Sequence, residues 1–495
     1  YTESEIYLKN NMQNEIATFD VFLRTKKEND YAVVYGISDV LELIEILNET
    51  SYDDKKKYLS KIFDNSDFIE YIANMKFTGT IKGVRDGEII FSNEPILTIT
   101  APLIQGKILE TPILNILHFQ TLAATVTSKI VLAAEGRGVL SFGTRRTAGF
   151  DAAMKMTKAS YVAGCISHSN LTAEYLYDLK STGTMTHGFI QTFGMGESAE
   201  YKAFDAFIKM YRNKNQALIM LIDTYDTLES GIISAVKAFK DNGIDDEYEG
   251  MYGIRIDSGN LEKLSKECRK ILDKNGLYKA KIVLTSGLDD KKIANLIKNQ
   301  AEVDVFGVGD AIALPEREIS TVYKMSKINE NDVMKISDES GKTSLPGNKD
   351  LYRVYENQDF YDVVTLEEEK LENIENIQKI TINYIENGKK IEKSYELLDL
   401  KEAKEYYRKY FREVIDGAKS VDLLVLDEFM AAYQYDMIDR EEALYFLKNK
   451  PENLEIVLTG RNVPSEIAHL ADYLTDCKMV KHPYTQGLPA RKGIE

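Results

Sequence analysis

The stretch GIRIDSGNLEKLSKECRKILDKNGLYKAKIVLTSGLDDKKIANLIKNQ, residues 253–300, decides the fold. It holds two short apolar runs, Gly253–Ile256 and Ile282–Leu284, each ending in a small polar cluster, DSGN and TSGLDD. Each cluster opens an amphipathic helical segment, LEKLSKECRKILDKNG and then DDKKIANLIKNQ. Near-continuous apolar strands alternating with amphipathic helices mean a parallel sheet. The same rhythm extends outward from about 138 to 325. The further strands it predicts are Val139–Phe142, Cys165–Ile166, Met185–Thr186, Ala217–Ile222, Val303–Phe306 and Thr321–Met325. Six to eight such units predict a closed α/β barrel rather than an open sheet. In a barrel of that kind the loops at the strand C-termini carry the chemistry.

The flanks read differently. Residues 1–75 are mostly helical in pattern, with helical spacing in VLELIEIL (40–47) and a solvated face in DDKKK (53–57). From 77 to 105 apolar and polar residues alternate around an Asp86-Gly87 turn, which predicts antiparallel strands. TPILNILHFQTLAATVTSKIVLAA (111–134) predicts a long helix with Pro112 near its start. Beyond 326, SDESGKTSLPGNKDLYRVYENQ is turn-rich and TLEEEKLENIENI is an acidic surface stretch, and no internal repeat or low-complexity tract stands out. The expected division is an N-terminal α/β domain over 1–135, the barrel over 136–330, a segment completing it over 331–399, and a C-terminal module over 400–495.

Composition narrows the function. The net charge of −17 argues against a nucleic-acid partner, which calls for a basic excess. The three cysteines (Cys165, Cys268, Cys477) show no CxxC spacing, so neither a zinc knuckle nor a disulfide framework is supported, and a reducing, cytoplasmic setting is expected. No apolar run approaches the ~20 residues of a membrane span, so no membrane partner is expected. No signal peptide is visible. The chain begins at Tyr1 rather than Met, so a few native residues are expected to precede it.

The polar clusters at strand ends are rich in Arg, Thr, Ser and Gly, an inventory that suits an anionic, phosphate-bearing substrate. Of the five histidines, His187 is set apart by Gly183-Thr184 before it and Gly188 after it. Glycines let backbone approach a ligand, and an imidazole there serves as acid, base or nucleophile near neutral pH. His168, in SHSN (167–170), is read equally well as a helix cap. Arg145 and Arg146 follow Gly143-Thr144 at a strand end and read as an anion clamp. Arg255 alternates with Ile254 and Ile256, and a charge within an apolar strand needs a partner or a ligand. Asp257, Ser258 and Gly259 form a turn whose N–H groups suit a phosphate. TSGLDD, with Gly287, reads as a turn into a helix N-terminus, and FGVGDAI (306–312), with Gly307 and Gly309, is a further glycine-rich turn. One such turn is weak evidence, whereas four or five at successive strand ends form a phosphate-binding ring. In IDTYDT, Asp223 and Asp226 hold a metal, orient a ribose hydroxyl, or simply cap helices. GKT at 341–343 lacks the earlier glycine of a P-loop.

The series FDVFLRT (19–25), EPILTITAP (94–102), FGTRRT (142–147), SHSN, GTMTHGF (183–189), IDTYDT (222–227), GIRIDSGN, TSGLDD, FGVGDAI and PGNKDLYR (346–353) resembles the ordered motifs of nicotinate phosphoribosyltransferases over about residues 15–365. The resemblance implies a type II phosphoribosyltransferase fold, an irregular α/β barrel with a smaller α/β domain. It implies ATP-coupled transfer of phosphoribose from phosphoribosyl pyrophosphate to nicotinate, with Mg2+, in a homodimer. It implies that His187 is phosphorylated by ATP, that Thr184 and Arg255 contact nicotinate, and that Arg145, Arg146, Ser169 and Asn170 belong to the substrate cleft. It further implies that Gly183, Asp257, Ser258, Gly259, Gly287, Gly307, Val308 and Gly309 line the phosphate end. An aromatic from a partner subunit stacks on the pyridine in such enzymes; Tyr1 and Tyr7 are candidates and the choice stays open. His168 stands where many relatives have Thr. Asp310 stands where some have Thr, and an acid there repels phosphate unless it holds magnesium. The nicotinamide enzyme also has an Arg-x-Asp-Ser-Gly strand, so Arg255 alone does not separate the two, and the whole series favours nicotinate. A barrel without catalysis that presents the C-terminal module to a partner is the reading from another class, and the intact GTMTHG and GIRIDSG argue against it.

From about 420, VDLLVLDEFMAAYQYDMIDREEALYFLKNKPENLEIVLTGRNVPSEIAHLADY and then KHPYTQGLPARKGIE are similar to the C-terminal half of ATP:corrinoid adenosyltransferases. LLVLDE is an apolar strand ending in Asp427-Glu428, a Walker-B arrangement, and IVLTGR is a second such strand. The P-loop of that family lies in the half that is absent, so the module is expected to be a partial P-loop-type α/β unit without catalysis of its own.

Overall fold

The computed structural model describes residues 1–25, 31–214, 216–316, 319–336, 343–356, 359–369, 371, 374, 376–407, 423–426, 429–434, 438–448, 455–458 and 463–470. Its strands, in chain order, are β1 (Ile16–Thr25), β2 (Ala32–Val33), β3 (Thr80–Gly83), β4 (Ile89–Ile90), β5 (Pro95–Pro102), β6 (Gly138–Ser141), β7 (Ser167–His168), β8 (Leu218–Leu221), β9 (Tyr252–Ile256) and β10 (Lys281–Leu284). They continue with β11 (Val305–Val308), β12 (Ile319–Ile328), β13 (Asn331–Asp332), β14 (Lys349–Glu356), β15 (Asp359–Leu366), β16 (Ile377–Lys379), β17 (Ile382–Glu386), β18 (Lys389–Lys390), β19 (Leu423–Leu426) and β20 (Glu455–Leu458). The chain divides into two compact units, Tyr1–Gly417 and Ala418–Glu495.

The first unit is built on two sheets. One is seven-stranded and antiparallel, in the order β13-β12-β1-β5-β3-β17-β18. Successive side chains of a strand face opposite ways. Ala17, Phe19, Val21 and Leu23 of β1 therefore enter one core, with Leu97 and Ile99 of β5 and with Val40, Leu41 and Ile44 of the helix Ile37–Glu49. The alternate residues Thr18 and Asp20 are polar and buried as well. Thr18 bonds Thr100 at 3.0 Å, and the Asp20 carboxylate accepts from Thr98 Oγ1 at 2.7 Å and meets Lys349 Nζ at 2.6 Å. Between the sheets runs the helix Glu110–Ala133, as the 111–134 pattern predicts. By length and composition it is apolar enough to cross a membrane, although no run of that length was expected; 61% of its most apolar stretch is buried inside the protein, as in a core helix.

The second sheet is six-stranded and parallel, in the order β7-β6-β11-β10-β9-β8. GVLS of β6, LIML of β8 and VFGV of β11 are buried throughout, as strands covered on both faces must be. The helix Leu261–Lys274 covers the sheet through Ser265, Cys268 and Leu272, three and four residues apart on one stripe.

This sheet is a half-barrel, and four expectations change with it. The strand expected at Cys165–Ile166 lies two residues later, as β7. Thr321–Met325 lies in β12, which pairs antiparallel with β1 in the other sheet. Met185–Thr186 forms no strand; Thr186 instead caps the short helix His187–Gln191. The ring of strands is consequently not closed among the described residues. The segment 181–184 spans the gap: Ser181 bridges His168 at one sheet edge, and Gly183 O accepts from Gln216 Nε2, just before β8, at 2.9 Å.

After the parallel sheet, β14 and β15 form a hairpin extended by β16, and β17 pairs with β3. The acidic stretch 365–377 lies partly outside the described residues. The second unit holds two parallel strands, β19 and β20, and helices over Phe429–Gln434, Arg440–Lys448 and Ser465–Ala468. Among its described residues, Leu426, Phe429, Met430, Tyr433, Ile438, Ala443 and Ile467 are buried. Asp427-Glu428, Thr459–Arg461 and 481–495 lie outside the described residues.

Candidate active site

Because β6 to β11 are parallel, the loops after them open on one edge of the sheet. The site there is organised around Arg255. Ile254 and Ile256 are fully buried on one face of β9, so Arg255 projects from the other, beside Phe142 at 5.9 Å from the ring centre. Its Nε donates to Thr285 Oγ1 at 3.1 Å and its Nη1 to Thr184 Oγ1 at 2.8 Å, while Nη2 lies 3.3 Å from Asp257 Oδ2. One residue each from the ends of β9 and β10 and one from the gap-spanning segment thus fix a single guanidinium.

Asp257 is fixed in turn. Its Oδ1 accepts a short bond from Thr285 Oγ1, and its N–H donates to Asp223 Oδ2 at 3.0 Å. Asp223 Oδ2 also accepts from Ser258 Oγ at 2.6 Å, so this carboxylate holds the Asp257–Gly259 turn, where Gly259 has a φ of +81. Asp223 Oδ1 is buried with no hydrogen-bond partner. Asp226 accepts from the N–H groups of Leu228 and Glu229 as a cap, so it and Asp223 serve separate turns. No group of three His, Cys, Asp or Glu suited to a metal occurs among the described residues.

His187 stands at the first position of its helix. Its Nδ1 lies 3.0 Å from Thr224 Oγ1 and its Nε2 lies 3.9 Å from Asp257 Oδ2, with the side chain 41% exposed. A Cβ built on Gly183 meets nothing, and one on Gly188 meets only Thr186 Oγ1 at 3.8 Å, so the backbone on both sides of His187 borders open space. Gly307 is different: a Cβ there would lie 2.5 Å from Thr285 and 2.9 Å from Phe142, so this glycine lets two site residues pack together. Gly309 borders Phe142 O at an ordinary 3.5 Å, and Gly287 has a φ of +56 in its turn.

Other expected site residues are placed differently. Arg146 Nε pairs with Asp310 Oδ1 at 3.0 Å, so the acid after the Gly-Val-Gly turn is neutralised by the clamp arginine. Arg145 is exposed beside it. Ser169 is exposed, with Oγ 3.1 Å from Thr144 Oγ1. Asn170 is buried, caps the helix Leu171–Tyr177 by accepting from Thr172 and Ala173 N–H, and donates to Thr157 Oγ1 and Met154 Sδ. Its side-chain amide is thereby hydrogen-bonded within the fold. His168 is buried, accepts from Asn170 N–H at Nδ1, and has its pKa lowered by burial. Tyr1 packs on Phe63 and Phe68 of its own chain, and Tyr7 packs on the N-terminal core. Thr224, Thr285 and Phe142 carry the geometry without having been singled out in the sequence. Their signal was only their place one to three residues past a strand.

Loops gathered this way at one edge of a half-barrel are those of an α/β-barrel enzyme acting on a small ligand. Residues 1–118 match the model of the nicotinate phosphoribosyltransferase N-terminal domain, and residues 138–365 match that of the nicotinate phosphoribosyltransferase family. The nicotinate phosphoribosyltransferase pncB2 of Mycobacterium tuberculosis is 36% identical over 344 residues, 69% of this chain and 71% of that protein. The Bacillus subtilis nicotinate phosphoribosyltransferase is 34% identical over 359 residues, 71% of each. The chain belongs to the nicotinate phosphoribosyltransferase family. The crystal structure of human nicotinic acid phosphoribosyltransferase shares the fold, with a TM-score of 0.68 at 21% identity over 83% of this chain and 92% of that one. Residues 362–495 match the ATP:corrinoid adenosyltransferase BtuR/CobO/CobP model, an earlier start than the sequence reading placed it.

Proposed function

We propose that the chain transfers phosphoribose from phosphoribosyl pyrophosphate to nicotinate, coupled to ATP through a phosphohistidine at His187. The seating of Arg255 carries this reading. A guanidinium has five N–H donors, and the three contacts to Thr285, Thr184 and Asp257 leave two, one on each Nη. Two parallel donors match a carboxylate. Nicotinate held there presents its ring nitrogen to C1 of the phosphoribosyl group. The N–C1 bond forms as the C1–O bond to pyrophosphate breaks, giving nicotinate mononucleotide and pyrophosphate. The Asp257–Gly259, Gly287 and Gly307–Gly309 turns, with Gly183 and with Arg145 and Arg146 at the cleft, receive the phosphates. Asp223, whose Oδ1 lacks a hydrogen-bond partner, would be the carboxylate to hold magnesium brought in with the pyrophosphate, and the ion would neutralise phosphate charge there.

In the ATP half-reaction, Nδ1–H of His187 donates to Thr224 Oγ1, which leaves the Nε2 lone pair as nucleophile. The N–P bond forms as the γ-phosphoryl leaves ADP, and the Asp257 carboxylate stabilises the positive charge that develops on the ring. The exposed apolar side chains Leu171, Tyr175 and Leu176, beside the Ser169 loop, support a homodimer that covers this rim.

A parallel assay with nicotinate, nicotinamide and quinolinate tests the substrate. Labelling with γ-labelled ATP tests the histidine: acid-labile label should appear on the wild type and vanish in His187→Ala. Full labelling of that variant overturns the assignment, and no labelling of the wild type favours a barrel without catalysis. The C-terminal module is read as non-catalytic because no GxxxxGK[ST] occurs in the chain. Adenosylcobalamin formed from ATP and reduced cobalamin by the purified chain would contradict that.

A further inference from the structure

We infer that Glu200 is a positioning residue for the imidazole of His187, acting through the turn that follows β8. The inference deepens the phosphohistidine reading and rests on it. Glu200 lies on the helix Glu197–Tyr211 with no exposed surface, and neither carboxylate oxygen has a hydrogen-bond partner. An unpartnered buried carboxyl is costly and calls for an explanation.

The explanation lies in what it faces. Beside Glu200 are the Tyr225 N–H and the Ser230 hydroxyl, and the charges of Asp226 and Glu197 are close by. Tyr225 and Ser230 belong to one device, the segment from Asp223 into the single π-turn Thr227–Gly231. That turn is pressed onto β8: a Cβ on Gly231 would lie 1.8 Å from Ile222 O. Isolated π-turns are frequent at functional sites. Asp226 O accepts from Gly231 N–H at 2.8 Å and from Ser230 Oγ at 3.0 Å. The Ser230 hydroxyl has thereby spent its proton and meets Glu200 only as an acceptor. The Tyr225 N–H meets it only as a donor. One neighbour therefore calls for an acceptor and the other for a donor, which a neutral carboxylic acid supplies and a carboxylate does not. Burial, with the nearby Asp226 and Glu197, favours that neutral form. The same segment carries Thr224, the partner of His187 Nδ1, and Asp223, the support of the Asp257 turn. Support from Glu200 thus reaches both sides of the imidazole without touching a ligand.

The pattern predicts which substitution is tolerated. Glutamine has the same shape and one acceptor and one donor end, so Glu200→Gln should keep the turn in place. Glu200→Leu keeps the volume and loses both. The chain has five histidines, so 15N-histidine spectra of the full-length protein are simple enough to assign His187 by its loss in His187→Ala. The expected result is that Glu200→Leu shifts the His187 ring nitrogens and lowers kcat roughly ten- to a hundredfold while the KM for nicotinate stays within about twofold. Glu200→Gln should match the wild type in both. Ser230→Ala should shift the His187 signals in the direction that Leu does, and it carries the same test should Glu200→Leu fail to fold. Unchanged His187 signals in Glu200→Leu and Ser230→Ala would overturn the inference. So would equal disturbance by Gln and Leu, which marks a merely structural residue. If the signals move as expected but the wild type makes no nicotinate mononucleotide, the positioning stands and the functional reading fails.

Discussion

Replacing Arg255 by lysine keeps the charge and removes the fork, so it isolates geometry. In the structure three nitrogens of Arg255 are spoken for, by Thr285 at 3.1 Å, Thr184 at 2.8 Å and Asp257 at 3.3 Å. The side chain is 15% exposed, so water compensates little for what is lost. A single ammonium cannot reach these three partners and a ligand carboxylate together. A hydrogen bond to a charged group contributes about 1.5–3 kcal/mol, so losing one of the two to nicotinate corresponds to a factor of roughly 10 to 150. Arg255→Lys should raise the KM for nicotinate by that factor. It should also lower kcat, because Asp257 and Thr184 lose the group that holds them. Nicotinamide lacks the carboxylate, so its KM should change far less and the preference for nicotinate should shrink. Steady-state kinetics with both substrates, alongside thermal melting to establish folding, make the comparison. A KM for nicotinate within about twofold of wild type would show that the guanidinium does not bind the carboxylate.

Asn170→Ala should cost about 0.5–2 kcal/mol of stability by removing a buried helix cap, and leave KM values unchanged. A tenfold rise in the KM for either substrate would return Asn170 to the binding site. Asp310→Asn breaks an ion pair exposed on both sides (51% and 56%), so the thermal midpoint should barely move, while the freed Arg146 should lower the KM for phosphoribosyl pyrophosphate; a higher KM would refute this. Burial pushes the Glu94 carboxyl up from 4.5 to about 7. A raised pKa means the folded state holds the proton more tightly, so its contribution is present below pH 4.5 and is lost as pH rises through about 7. Stability against denaturant should fall across that window, and Glu94→Gln should flatten the fall.

How much of this was legible in the sequence differs element by element. The units around β9 and β10 were legible because a strand buried on both faces is apolar throughout and each covering helix shows its own stripe. Thr321–Met325 has the same local look, but its sheet is decided by pairing with Phe19–Leu23, some three hundred residues earlier, and no local pattern records that. Met185–Thr186 looked like a strand because two residues carry almost no periodicity. Among site residues, Arg255 was legible as a charge within an apolar run. Asn170 and Ser169 carried one identical cue, a polar residue past a strand, and only burial separates the cap from the exposed hydroxyl. The pairing of Arg146 with Asp310 and the support of Arg255 by Thr184 and Thr285 are contacts across the sheet edge. They exist only once the strands stand side by side.

The boundary of the C-terminal module illustrates the same point and leads to a test. Sequence resemblance sets the start of the adenosyltransferase-like part as early as residue 362, whereas the chain's compact units divide after Gly417. Residues 377–407 are woven into the first unit. β17 pairs with β3, and Tyr384, fully buried, donates to Val84 O at 2.9 Å. From the helix Leu400–Tyr407, Tyr406 donates a short bond to the buried Glu88, Tyr407 meets Ser128 Oγ at 2.8 Å, and Lys404 donates to Cys165 O at 3.2 Å. Ala403 packs in a core cluster with Tyr35 and Val162. Cutting the chain after Asp399 removes three polar anchors from buried partners. At about 1 kcal/mol for a neutral bond and more for one to a charged group, the loss is roughly 3 kcal/mol or above. Cutting after Gly417 removes none of them. The shorter fragment should therefore melt well below the longer one, and the longer one should keep the melting behaviour of the first unit and its phosphoribosyl chemistry. If the fragment ending at Asp399 is as stable as the one ending at Gly417, the helix Leu400–Tyr407 is not part of the first unit's fold, and the boundary belongs where the sequence reading first put it.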